Sequence, residues 1–277
     1  MKTFLKQVAT ALRFQAQRSR NGQRAYQSIA SWTSAVKTIR RDILRQAFNP
    51  EMGVLDQIIK EGDICFDIGA SYGKYTLVMS RLAGRRGHIY GFEPGSSSTR
   101  TFLRVVKFYR LKNVTLTKKA LSHQEGLAHL VIPIKETGSL GEPIAYLGRG
   151  DESNAVIEKI ETMTLDGYCS ESGISRVDFI KCDVEGSELL VLEGAKNTIR
   201  HHRPIILCEI GPITLRHCGN HVGQLFDLLT IPDYCVFKVR DGRLKKAEET
   251  EEVGDFFFVH KEDPFLVLGE GSELLMS

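Results

Sequence analysis

A chain of 277 residues that is 42% hydrophobic has enough apolar mass for one large globular domain, which excludes a wholly disordered protein. No run nears the roughly 18 consecutive apolar residues of a membrane-spanning helix, and Lys6 and Gln7 interrupt the core a signal peptide would need, so a soluble, cytoplasmic protein is expected. The net charge of +3 divides unevenly: residues 1–46 carry ten Lys/Arg against the lone acid Asp42, or +9, and the remainder carries 27 basic and 33 acidic side chains, or −6. A nucleic-acid footprint would therefore have to lie in the N-terminal arm.

Within that arm Ile29, Trp32, Val36, Ile39 and Ile43 are spaced to draw one apolar stripe along a helix. Residues 1–46 are read as a basic helical arm and residues 47–277 as the main domain. The stripe can pack on the chain's own body, pair with a second copy as a homodimer, or lie peripherally on an anionic membrane with Lys37, Arg40 and Arg41 at the headgroups. The Arg-rich, acid-poor start also has the composition of a transit peptide. The six cysteines (Cys65, Cys169, Cys182, Cys208, Cys218 and Cys235) form no C-x-x-C pair, and reduced core thiols are expected.

From about residue 50 strand-like and helix-like segments alternate. "DICFDIG" predicts a strand, "YTLVMSRL" a helix, "GHIYGFEP" a strand, residues 96–109 a helix and "NVTLTKKALS" a strand. After a break come "VDFIKCD" as a strand, residues 186–199 as a helix and "RPIILCEI" as a strand, with "YCVFKVRDGRLKK" and "GDFFFVHK" as a closing antiparallel pair. Strands apolar on both faces, alternating with helices, imply a doubly wound α/β fold with a mostly parallel sheet, Rossmann-like in organisation. The break, about residues 125–165, holds the shorter stretches "LAHLVIP" and "AVIEKIETM", and predicts a β-hairpin excursion or loop that helps shape a substrate pocket.

Ligands of such sheets bind beyond the carboxyl ends of the strands, near the switch point. There the first strand ends in "DIGASYG", placing Asp67, Gly69, Ala70, Ser71, Tyr72 and Gly73 in a tight turn where glycine lets the main chain approach a nucleoside. Ser71 and Lys74 stand where a dinucleotide fingerprint needs glycine, and Tyr75 follows Gly73-Lys74 where a phosphate loop needs Ser or Thr. What remains is the Asp-x-Gly-x-x-x-Gly arrangement associated with S-adenosylmethionine. Glu93 and Pro94 close the second strand, and the glutamate has two oxygens for a ribose diol, although it can also serve to cap the next helix. Ala120 and Leu121, near the end of the third strand, and Asp183, at the end of the fourth, complete the candidate cofactor set.

"VDFIKCDVEGSELLVLEGA" plants Asp183 and Glu185 where a strand hands over to a helix, and Glu209 closes the neighbouring strand. Acids in a helix's first turn gain about 0.3 to 1 kcal/mol from its dipole. Two acids and a glycine exceed what capping needs, so all three carboxylates are candidate catalytic groups. Taken in order, "DIGASYGKYT", "GFEP", "VDFIKCDVEGSELLVLEGA" and "ILCEI" resemble the FkbM-type S-adenosylmethionine-dependent methyltransferases over about residues 62–210. Ser71 where that family commonly has Asn, Lys74 where it has an aromatic and Cys182 where it has an aliphatic residue are departures.

The resemblance implies methyl transfer to a hydroxyl oxygen of a sugar, glycan or natural product. Asp183 and Glu185 would then orient and deprotonate the acceptor, with Glu209 in support; alternatively the three would hold Mg²⁺. His217 and His221, after the fifth strand, are rival bases, whereas His201 and His202 precede it on the far side. Tyr146 and Tyr168 are the nearest aromatic side chains to such a pocket. Other readings are an RNA methyltransferase gripping its substrate with the basic arm, a non-catalytic scaffold on the same fold, and an enzyme of NAD or a nucleotide sugar, which Ser71 and Lys74 oppose.

Overall fold

In the computed structural model, residues 33, 50–134, 144–211, 214, 215, 219, 221–230, 233–247 and 253–267 are described. The expected apolar stripe, His217 and Cys218 lie outside them. A 3-10 turn at Pro50–Gly53 and α1 (Leu55–Ile58) lead into β1 (Ile64–Ile68), followed by α2 (Lys74–Ala83), β2 (His88–Phe92), α3 (Ser96–Tyr109) and β3 (Val114–Thr117). The insertion supplies β4 (Ala120–Leu121), β5 (Gly126–Pro133), β6 (Tyr146–Gly148) and β7 (Ala155–Met163). Next come α4 (Leu165–Glu171), β8 (Phe179–Cys182), α5 (Glu188–Glu193), α6 (Lys196–His202) and β9 (Ile205–Ile210). The remaining elements are α7 (Val222–Thr230), β10 (Tyr234–Arg240), β11 (Arg243–Lys246), β12 (Gly254–His260) and α8 (Pro264–Val267).

Eight strands form the main sheet in the order β11-β10-β12-β9-β8-β1-β2-β3. The run from β9 to β3 is parallel, and β12 enters antiparallel between β9 and β10. Side chains alternate across the strands with period two, so Phe66, Ile68, Ile180 and Ile206 pack with α4 to α7, while Cys65, Ile89, Phe179 and Leu207 pack with α1 and α2. Helices cover both faces, the doubly wound arrangement expected. The chain reverses direction in strand order at β1, which leads to β2 on one side and later to β8 on the other, so the crevice opens above β1 and β8.

Two elements differ from the sequence expectation. "NVTLTKKALS" is not one strand: β3 belongs to the main sheet and β4 to a second, four-stranded sheet of order β4-β7-β5-β6. The chain leaves the first sheet at Lys118, which is exposed, and Lys119, whose ammonium meets Glu161 of β7 at 2.8 Å. The helix expected over residues 186–199 is broken at Gly194, where a Cβ would lie 2.1 Å from the Ser122 carbonyl oxygen. Asp166 then starts the new helix α6, its carboxylate accepting the N–H groups of Asn197 at 3.0 Å and Thr198 at 2.8 Å.

The β5–β7 pair is the expected antiparallel excursion, in register from Gly126 with Thr162 to Pro133 with Ala155. Cys65, Cys169, Cys182 and Cys208 are buried free thiols and Cys235 is a half-buried one. Among the described residues no helix is long and apolar enough to cross a membrane.

Candidate functional site

The turn after β1 is fixed from both sides. The N–H groups of Gly69 and Ala70 donate to the Phe92 carbonyl at 3.0 and 2.9 Å, tying the turn to β2, and Asp183 N–H donates to the Ile68 carbonyl at 3.1 Å, tying it to β8. Gly69 has φ +77°, and a Cβ on it would lie 1.8 Å from the Asp183 carbonyl oxygen, so only glycine lets the two strand ends approach.

Glu93 braces the far wall. One carboxylate oxygen accepts the Ser71 N–H at 2.9 Å and the other the Gly95 N–H at 2.8 Å, linking the turns after β1 and β2. The side chain is buried at the edge of the crevice.

Between these turns lies a cavity of about 230 Å³. Of the expected cofactor residues, Gly69, Ala70, Ser71 and Tyr72 line it from β1, Glu93 and Pro94 from β2, Ala120 and Leu121 from the insertion and Asp183 from β8. Asp67 and Gly73 do not. Asp67 is completely buried beneath the turn, where it accepts the Thr76 hydroxyl at 2.5 Å while its other oxygen has no hydrogen-bond partner. Gly73 caps α2 with φ +85° and faces the Phe102 ring. Tyr146 lines the cavity; Tyr168 instead packs its ring against Phe66, Tyr90 and Phe92.

Asp183 and Glu185 both line the cavity, and the structure adds a partner the sequence reading missed. Lys181, buried two positions earlier on the same face of β8, places its ammonium 2.7 Å from Asp183 and 4.9 Å from the centre of the Tyr75 ring. Across the sheet Lys181 is the register partner of Asp67. Burial alone would favour a neutral amine, but the charges of Asp183 and Asp67 overcome it and raise the Lys181 pKa above the ordinary lysine value. Burial likewise opposes the Asp183 anion, and here the Lys181 charge prevails, holding Asp183 below the usual carboxylate range.

Its neighbours are pushed the other way. Burial, then the Asp183 and Glu188 charges, raise Glu185 to about 7. Glu209, open to solvent on its outer side, is raised to about 8 by desolvation, by the Asp183 charge and by a hydrogen bond shared with Asp183. Asp255, opposite Glu209 in the β12–β9 register, is raised to about 7 by burial and by Glu51 and Asp183. The shared hydrogen bond therefore favours the proton on Glu209 and the charge on Asp183.

Neither Glu209 nor Asp255 lines the cavity. Among the described residues no group of three or more His, Cys, Asp or Glu side chains is arranged to hold a metal ion, Asp183, Glu185 and Glu209 of the Mg²⁺ alternative included. The cation beside Asp183 is Lys181. His201 is exposed and His202 half-buried on the amino-terminal side of β9, away from the cavity, and His221 is exposed.

The family model of the methyltransferase FkbM domain matches residues 67–239. The chain belongs to the FkbM methyltransferase family. All the cavity-lining acids of this FkbM chain fall inside the match, and Asp255 falls outside it. A stretch of 44 residues is 43% identical to the 2-O-methyltransferase NoeI of Sinorhizobium fredii, covering 16% of this chain and 18% of that protein. Among solved structures, the chain is similar to methyltransferase FkbM from Methylobacillus flagellatus at 16% identity and TM-score 0.48, over 91% of this chain and 58% of that one. It is also similar to an S-adenosylmethionine-dependent O-methyltransferase from Thermotoga maritima at 14% identity and TM-score 0.43, over 80% and 70% of the two chains.

Proposed function

We propose that the protein is an S-adenosylmethionine-dependent O-methyltransferase acting on a hydroxyl group of a sugar, a glycan or a similar natural product. The observation that carries this reading is the meeting, in one cavity, of the Gly69 turn and Glu93 with the Asp183–Glu185 pair. The Gly69–Tyr72 turn and Glu93 would hold a nucleoside: glycine gives close approach, the carboxylate suits a diol, and Phe92, Leu121 and Leu130 provide an apolar wall for a base. When bound, S-adenosylmethionine supplies an electrophilic methyl group on a sulfonium sulfur.

The chain's own residues then have separable tasks. Asp183, kept ionised by Lys181, accepts a hydrogen bond from the acceptor hydroxyl and orients its oxygen. Glu185, tuned to about 7, takes the hydroxyl proton as the new bond forms, since a base works best with a pKa near the working pH. Glu209 holds the proton it shares with Asp183 and limits the negative charge at the strand ends. The match to part of a 2-O-methyltransferase supports oxygen as the methylated atom.

Residues 47–277 form the catalytic unit in this reading and residues 1–46 an appended basic arm. The test is calorimetry with S-adenosylhomocysteine, followed by transfer of labelled methyl from S-adenosylmethionine to a panel of free sugars, glycans and polyhydroxylated small molecules. Binding with label on a hydroxyl is the expected result. A folded protein that binds no S-adenosylhomocysteine points instead to a scaffold. Label found on RNA, with binding that weakens as salt rises, points to the arm as a nucleic-acid grip.

A further inference from the structure

The turn that carries Glu185 is held by a side chain from the helix that follows it. In the first turn of α5, Oε1 of Glu188 accepts the backbone N–H of Val184 at 3.0 Å and that of Gly186 at 3.1 Å. These amides flank Glu185, whose φ of +54° lies in the left-handed region that a residue with a Cβ occupies only when its surroundings impose it. Gly186 itself has φ +106°, and a Cβ there would lie 2.3 Å from the Thr214 carbonyl oxygen, so the turn is pressed against the chain beyond β9.

Glu188 is 2% exposed, and its Oε2 has no hydrogen-bond partner. Burying a carboxylate with one unsatisfied oxygen is costly, so a residue kept at this position for bulk alone would be better served by an apolar side chain. What an apolar residue cannot supply is an acceptor for two amides on either side of one left-handed residue. We propose that Glu188 is a positioning residue: by clasping the Val184 and Gly186 amides it fixes the Glu185 carboxylate in the cavity, at the point from which it takes the acceptor's proton. Glu188 does not itself line the cavity. The inference rests on the role of Glu185 given above.

Two substitutions in the full chain separate clasp from bulk. Glu188→Gln keeps a carbonyl oxygen for both amides; Glu188→Leu fills the space and accepts nothing. Three readouts are taken: hydrogen exchange over residues 183–187, S-adenosylhomocysteine affinity, and kcat and KM on the acceptor returned by the panel. Glu188→Leu is expected to speed exchange of the two amides and lower kcat by about 100-fold, as a misplaced group does, with KM and cofactor affinity within about threefold. Glu188→Gln is expected to restore the protection and most of kcat.

The proposal is overturned if Glu188→Leu exchanges faster yet turns over like the wild type, or if Glu188→Gln is as impaired as Glu188→Leu, which would make the charge and not the clasp the requirement. Should Glu188→Leu not fold, Glu188→Asp, one methylene too short to reach both amides, carries the same comparison. Wild-type protein that binds no S-adenosylhomocysteine would remove the methyltransferase reading, whereas the exchange contrast between the variants would still decide whether the clasp exists.

Discussion

At the scale of single residues, Asp183 and Glu185 stand two positions apart and are driven in opposite directions, one by Lys181 and the other by burial and then by the Asp183 and Glu188 charges. Glu185 must be ionised to accept a proton, so the rate should fall as pH drops through about 7. Glu185→Gln should lose about 10²- to 10⁴-fold in kcat and the acid limb of the pH–rate profile, while S-adenosylhomocysteine affinity holds. Asp183→Asn behaves differently. It leaves the buried Lys181 ammonium without its 2.7 Å partner, and breaking such a pair costs about 3 to 5 kcal/mol, which urea denaturation would register beside the lost activity. Gly69, Glu93, Asp183 and Glu185 were legible in the sequence because strand ends in a doubly wound sheet converge on one crevice. Lys181 was not, since a lysine in a short strand reads as a solvated side chain until its register partner Asp67 is known. Asp255 was hidden for a similar reason: only the insertion of β12 beside β9 brings it opposite Glu209.

At the scale of elements, the insertion was legible as alternating strands, but not its role. The sequence suggests that it shapes the acceptor side, whereas its anchors lie at the Glu93 end of the cavity. Glu158 of β7 accepts the Ser96 N–H at the start of α3 at 2.9 Å, and Leu130 of β5 stands 3.4 Å from where a Gly95 Cβ would be. β4 adds Ala120 and Leu121 to the same wall. The second sheet thus backs the residues assigned to the nucleoside. Glu158→Ala removes a hydrogen bond to a charged acceptor, the kind worth about 1.5 to 3 kcal/mol, and should weaken S-adenosylhomocysteine binding by about tenfold in calorimetry. An unchanged affinity with a raised acceptor KM would return the insertion to the acceptor side. The divided "NVTLTKKALS" and the break at Gly194 escaped the sequence reading for one physical reason: both involve contacts with the second-sheet segment made by residues distant in sequence, Lys119 with Glu161 and Gly194 with Ser122, which local periodicity does not encode.

At the scale of the whole molecule, the carboxylates gathered at the ends of β8, β9 and β12 make the fold's stability depend on pH in an unusual direction. In the folded protein Glu185, Glu209 and Asp255 titrate at about 7, 8 and 7, against ordinary values of 4.5, 4.5 and 3.8. Over that interval the folded state binds more protons than the unfolded chain, so the free energy of unfolding decreases as pH rises. Burial raises Asp67 and Glu188 as well, which adds to the same trend. One opposing contribution lies inside this window: burial holds the His88 imidazole below its ordinary value of 6.5, so this single group adds stability as pH rises toward 6.5, against three carboxyls that lose it. The others lie outside. Asp183, held low, contributes stability above its ordinary value of 3.8 and loses it only as pH falls below that value. Lys181, held high, contributes below 10.5 and loses that contribution only at more alkaline pH. The three carboxyls share one neighbourhood and release their protons as a group, so the transition should be broad. Urea midpoints of the ligand-free protein should therefore decline from about pH 5 to about pH 8, where many proteins are near their most stable. Glu209→Gln should flatten that decline, because the amide presents no proton to lose and no charge to set against Asp183. A midpoint that rises over the interval would mean that these acids are ionised in the folded state, and the assignment of Glu185 as a base near neutrality would fall with it.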